Sequence, residues 1–219
     1  MLLLRVRALA LLAAFGLTGP ALAHPHVWVT SKAEVDYESG RVTGIRHAWT
    51  FDASYSAFVT QGLDKDGNGT LSPEELQNLA AENTTNLAEF AYFTKLKVGG
   101  REQEFGEPRE PHMRMDGDRL TLNFVLPLKS PAAQGRGVAA MEVYDPTYFV
   151  AFSLAEGADA ARLKGAPTGC ATSVTRAKNT DPQQTADAGK PLSEAFFEAL
   201  TASSNFGEQF ANRVIVACP

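Results

Sequence analysis

From His24 to Phe51 apolar and polar residues alternate, and a period of two predicts strands on either side of a Glu38-Ser39-Gly40 turn. The period then changes. Phe51, Tyr55, Phe58 and Val59, and later Leu76, Leu79, Leu87, Phe90 and Phe93, recur at helical spacing, with a polar interruption at Glu82-Asn83-Thr84-Thr85. This predicts two or three helices over 52–93.

Strand character returns in segments 95–105, 112–126 and 138–154, centred on Gly99-Gly100, Asp116-Gly117 and Asp145-Pro146, which predicts successive hairpins. A further strand is predicted at 169–176. A polar, Pro-containing stretch follows to 190, then helical spacing at 193–202 and a closing strand at 213–218. No internal repeat is visible. The sum is one α+β domain over 24–219, an antiparallel β-sandwich or barrel of successive hairpins with a helical insertion at 52–93.

The first 23 residues stand apart. Arg5 and Arg7 precede the apolar run 8–17, and Ala21-Leu22-Ala23 forms a small-residue cleavage signal, so 1–23 reads as a secretory signal peptide. The run is too short to span a bilayer. The expected location is the periplasm, reached by export. In an oxidising compartment Cys170 and Cys218, with no C-x-x-C spacing, read as a structural disulfide.

Composition is ordinary for a globular chain of 219 residues: 44% hydrophobic and 21% charged. Lys and Arg total 20 against 25 Asp and Glu, a net charge of −5, and the basic residues are scattered, which argues against nucleic-acid binding. Removing the signal peptide leaves a still more acidic chain, suited to cations.

The sharpest motif is Asp64-Lys65-Asp66-Gly67-Asn68-Gly69-Thr70-Leu71-Ser72-Pro73-Glu74-Glu75, which fits the EF-hand pattern D-x-D-x-N-G-x5-E. Ca²⁺ needs six to eight hard oxygens. Asp64, Asp66 and Asn68 offer side chains, Thr70 its carbonyl, Ser72 a direct or water-mediated contact, and Glu75 a bidentate carboxylate. Phe51–Leu63 and Pro73–Ala81 are the expected flanking helices. The alternative is a polar Asx-rich turn. A single loop points to a structural calcium clip rather than a sensor that opens a groove.

Histidines form the second constellation. Cleavage after Ala23 creates an amino terminus His24-Pro25-His26, where Pro25 has no N–H to lose and so blocks square-planar chelation through backbone amides. Side-chain coordination remains. Pairing across the Glu38–Gly40 turn sets partner numbers summing to 78 or 79, so His26 faces Asp52 or Ala53, and His47 shares its face only in the odd-sum register. Asp145 is a further ligand candidate. Imidazole with carboxylate suits Zn²⁺, Ni²⁺ or Co²⁺; the alternative is a frayed terminus and a satisfied strand histidine. His112-Met113-Arg114-Met115, with Trp28 or Trp49, is a weaker pattern for Cu⁺, against the simpler reading of Met as core. Familiar catalytic motifs are missing from the sequence, leaving only a convergent triad of His47, Asp52 and Ser54 or Ser56 to consider.

Together, H-P-H-V-W-V after a signal peptide, H-A-W-T-F-D-A-S-Y-S, the acidic loop, N-L-A-E-F-A-Y-F-T, Y-D-P-T-Y-F and F-A-N-R-V-I-V-A-C-P resemble a family of periplasmic proteins described as the periplasmic component of an uncharacterised ABC-type transport system. Its members are encoded beside NicO-type nickel, cobalt or zinc permeases. The resemblance implies a periplasmic, transition-metal-handling protein partnered by an inner-membrane permease, and the missing catalytic motifs lead to the expectation that it is not an enzyme. It carries over His24, His26, His47 and Asp52 from the histidine motifs, and Asp64, Asp66, Asn68 and Glu75 from the loop. The expected cofactors are Ca²⁺ and Zn²⁺, or Ni²⁺ or Co²⁺. The rival readings are a calcium-stabilised exported interaction module and an exported hydrolase.

Overall fold

The computed structural model describes residues 25–177 and 206–219. The segment 1–23 expected to be a signal peptide, His24 and the helix expected at 193–202 lie outside them. The described chain is mostly β, with strands β1 (Val27–Glu38), β2 (Arg41–Phe51), β3 (Thr94–Val98), β4 (Arg101–Glu102), β5 (Arg109–Asp116), β6 (Arg119–Ala133), β7 (Val138–Val143), β8 (Val150–Leu154), β9 (Ala161–Lys164), β10 (Ala171–Thr175) and β11 (Asn212–Ala217). Two helices, α1 (Ala53–Val59) and α2 (Pro73–Asn86), and a 3₁₀ segment at Leu87–Phe93 fill the predicted insertion. None of the described helices is long and apolar enough to cross a membrane.

Sheet A runs β5-β6-β2-β1-β8, with β9 also on β1; sheet B runs β10-β11-β7-β3-β4. Among the described residues neither sheet closes into a barrel. Two expectations need correction. The segment 138–154 is not a hairpin: β7 joins sheet B, the chain crosses over, and β8 joins sheet A. Nor is sheet A purely antiparallel, because β8 and β9 both pair with β1 in parallel. Parallel partners need a long crossover, which no turn dipeptide announces.

The alternation read in the first strand is a burial pattern. Val27, Val29, Ser31, Ala33, Val35 and Tyr37 face inward and the even-numbered residues outward. On β2 the inward set is Ile45, His47, Trp49 and Phe51. These faces share one apolar core with Leu120, Leu122, Phe124 and Leu126 of β6, Leu96 of β3, Met141 of β7 and Val214 of β11. Trp49 packs edge-on against Phe124 and Phe152 at 5.0 Å.

Register is decided by a bulge. Near the turn, Tyr37 pairs with Val42 and Glu38 with Arg41, the odd one of the two sums considered, but the pairing then shifts to an even sum, so that Asp36 pairs with Gly44 and Ala33 with His47. The residue taken up by the shift is Thr43, and the same place breaks the β2–β6 ladder. Gly44 is required there, since a Cβ would stand 2.8 Å from the Leu126 carbonyl oxygen.

Candidate functional site

The acidic loop lies between the two helices. Ser72 caps α2: its side chain accepts from the Glu75 N–H while Glu75 reaches back to the Ser72 N–H at 2.9 Å, a complete capping box with Pro73 in the first turn. The S-x-x-E spacing carries this signal in the sequence, where Ser72 reads only as an ion ligand. Ahead of the loop the expected helix is shorter than predicted. α1 stops at Val59, and the chain turns through Gly62 at φ 74° before reaching Asp64.

Within the loop, backbone N–H groups converge on the carboxylates. Asp64 accepts from Asn68 N at 3.1 Å and Gly69 N at 2.9 Å. Asn68 also donates its amide to Asp66 at 2.8 Å, and its Oδ1 accepts from Thr70 N at 2.8 Å. Glu75 accepts from Lys65 N at 2.7 Å. The Ser72 backbone, then the Lys65 backbone, hold the Glu75 carboxyl below the ordinary glutamate range. One carboxylate oxygen each from Asp64, Asp66 and Glu75 lies within 4.8 Å of the others. Among the described residues, these three form the grouping that could hold a metal ion. Such oxygens suit a hard cation.

The structure does not assemble the histidines. With even-sum pairing, His47 faces inward beside Ala33, whereas His26 follows the outward parity of β1 and is exposed. His26 also lies seven residues along the strand from Ala33, about 23 Å at ~3.3 Å per residue. His26 instead packs its ring, tilted by 37°, against Phe149 at 4.7 Å and donates its backbone N–H to the Phe149 carbonyl. One zinc ion cannot be shared by His26 and His47.

His47 is 2% exposed, stacked on Phe124 at 5.0 Å and 5.3 Å from the Trp49 ring. Its Nε2 lies 3.4 Å from Thr94 Oγ1, and that hydroxyl donates to the Tyr92 carbonyl. The imidazole Nε2–H therefore points at Thr94, leaving Nδ1 a buried acceptor with no partner. Burial pushes the His47 pKa down to about 3.

The remaining candidates also have structural employment. Asp52 caps α1, accepting from Tyr55 N at 2.9 Å with one oxygen and from Trp28 N at 3.0 Å with the other. Ser56 Oγ donates to the Asp52 carbonyl and accepts from Leu120 N. A His47–Asp52–Ser56 triad is therefore not formed. Asp145 folds its own turn, accepting from Thr147 N, Thr147 Oγ1 and Val150 N. The copper pattern fails by parity, because Met113 is core while His112 is exposed and within 3.0 Å of the Glu110 carbonyl. Cys170 and Cys218 are bonded, as the sequence suggests.

Comparison with known proteins adds relatives without assigned activities. The chain is 27% identical over 138 residues to an uncharacterized protein of Haemophilus influenzae, covering 61% of this chain and 64% of that one. It is 30% identical over 86 residues to an uncharacterized 15.5 kDa protein in the trpE 3' region of Spirochaeta aurantia, covering 39% of this chain and 61% of that one. The matches thus span less than two thirds of either relative. No solved structure matches significantly. Residues 9–218 match the family described as "Protein of unknown function (DUF1007)", and the chain belongs to that family.

Proposed function

We propose that this protein is an exported, non-catalytic binding protein for divalent cations, with Ca²⁺ held at Asp64–Glu75, that works beside an inner-membrane NicO-type metal permease. The observation that supports cation binding is the convergence of Asp64, Asp66 and Glu75 carboxylate oxygens within 4.8 Å. Asn68 Oδ1, the Thr70 carbonyl, Ser72 and water supply the further oxygens Ca²⁺ requires. Export to the periplasm is supported by the signal-peptide pattern and the Cys170–Cys218 bond. The permease partnership rests on the family resemblance.

The carboxylate of Glu75 offers two of the site's charged oxygens. Glu75→Gln should therefore raise the calcium Kd at least about tenfold at neutral pH in isothermal titration. An unchanged affinity would remove the calcium assignment.

For a transition-metal cargo, Zn²⁺ or else Ni²⁺ or Co²⁺, the ligand set narrows to the His24-Pro25-His26 segment. His47 and Asp52 are both committed to the fold. Competition with a chromogenic chelator should show His26→Ala weakening zinc binding about tenfold or more, while His47→Gln stays within about twofold of wild type. The reverse pattern would return His47 to the site.

A further inference from the structure

Among the described residues, the inner face of sheet A is not covered along its whole length. Where β1 begins and β2 ends, a cleft of about 520 Å³ remains, bounded by sheet A, the C-terminal part of α2, the 3₁₀ segment and the 145–149 turn. That volume falls in the range of small-molecule sites. Trp49, Phe51, Phe93 and Phe152 line it, and Phe90 and Phe149, 53% and 46% exposed, also contribute aromatic surface.

Among the described residues the polar lining has one sign. Asp145 and Glu82 contribute carboxylates, Tyr55, Asn83, Asn86 and Thr147 are neutral, and none of the described residues that line the cleft is Lys, Arg or His. Asp145 is only 5% exposed, yet among the described residues it has no salt-bridge partner. Its three accepted hydrogen bonds leave one of about four acceptor sites. A buried charge without a counter-charge is costly, and a cationic group brought into the cleft would supply one.

Two walls of the cleft are also strained. Ala91, Tyr92 and Phe93 hold φ of 48°, 56° and 46° in succession, and Tyr148 holds 58°, all in the region that L side chains avoid. Such conformations persist only where surrounding structure holds them in place.

We infer that this cleft binds a small hydrophobic organic cation, an amine or quaternary ammonium on an aliphatic or aromatic body, with its head at Asp145 and its body against the aromatic wall. Aromatic faces attract cations, and an acidic wall repels the carboxylate of a fatty acid. The site is separate from the calcium loop and does not depend on that assignment.

Decyltrimethylammonium, decanol and decanoate, below micellar concentrations, share a tail length and differ in head group. Titrated into the disulfide-bonded exported chain and followed by tryptophan fluorescence, the cation should saturate and bind at least about tenfold tighter than decanoate, with decanol between. Methyl resonances of Val29, Leu122 and Val150 should shift. Phe90→Ala should weaken binding by about threefold or more. Asp145→Asn should erase the preference for the cation over decanol. If that variant unfolds, Glu82→Gln on the exposed rim decides, with a preference reduced about twofold expected. The inference is overturned if decanoate binds as tightly as the cation, if the shifts map outside the cleft, or if Phe90→Ala and Glu82→Gln both bind like wild type.

Discussion

Acidification from about pH 6.5 to about pH 3 should strip several kcal/mol of stability from this protein through one side chain, His47. Its folded pKa is lowered to about 3 from the ordinary 6.5. Below pH 6.5 the unfolded chain therefore takes up a proton that the folded chain refuses. The contribution is complete above the unfolded pKa and is lost as pH falls toward the folded one. At 1.36 kcal/mol per unit this amounts to ~3 kcal/mol at pH ~4.5 and ~5 kcal/mol across the window. The cause is local. Protonation at Nδ1 would place a second donor among Phe124 and Trp49, where that atom has no partner. His47→Gln removes the titration, and the shared titration of surface carboxylates cancels in the comparison. Urea unfolding at pH 7.5 and 4.5 should show a smaller acid loss for the variant; parallel losses would exclude His47 as the cause.

Reduction of Cys170–Cys218 should have the next largest effect. The bond spans a sequence separation of 48 and ties the start of β10 to the end of β11, at an edge of sheet B. Closing a loop of that size contributes ~4 kcal/mol in the chain-entropy description. Thiol labelling of denatured, unreduced protein should find no free thiol, and dithiothreitol should lower unfolding stability by about that amount. Two labelled thiols in exported material, or a loss under about 1 kcal/mol, would contradict a stabilising bridge.

Local chemistry made part of the molecule legible. Glu38-Ser39-Gly40, Gly99-Gly100 and Asp116-Gly117 each mark the turn of an observed antiparallel pair. Helical spacing bounded the insertion at 52–93 to within a residue or so of α1 and the 3₁₀ segment. The grouping of Asp64, Asp66 and Glu75 was legible because these carboxylates lie within one short segment of the chain. The histidine site was not, because its membership hung on the parity of a ladder, and one residue absorbed at Thr43 reversed that parity. Val42-Thr43-Gly44-Ile45 held the clue, since a glycine inside a strand often marks a bulge. The β7–β8 crossover left no such mark. Val150–Leu154 is five residues long, and its choice of partner is made by tertiary packing rather than by its own pattern. The cleft was hidden for a related reason: Trp49, Phe51 and Phe152 carry the same apolar signal whether they meet neighbours or a cavity.

The placement of β1 has a consequence for how the chain reaches this structure. Among the described strands it is the first in the chain and an interior strand of sheet A, with one edge closed early by β2 and the other only by β8 and β9. Val27 meets Val150 and Ala33 meets Ala161, so the second edge must wait for partners roughly 120 residues downstream. Hairpin formation across Glu38–Gly40 takes microseconds, whereas this closure is set by non-local search. In the interval a long strand with one apolar face shows a row of unpaired amides and carbonyls to any neighbouring chain. The time at greatest risk of aggregation is thus after the first hairpin has formed and before residues 150–164 have docked, and conditions that speed that docking favour yield more than those that stabilise the finished protein.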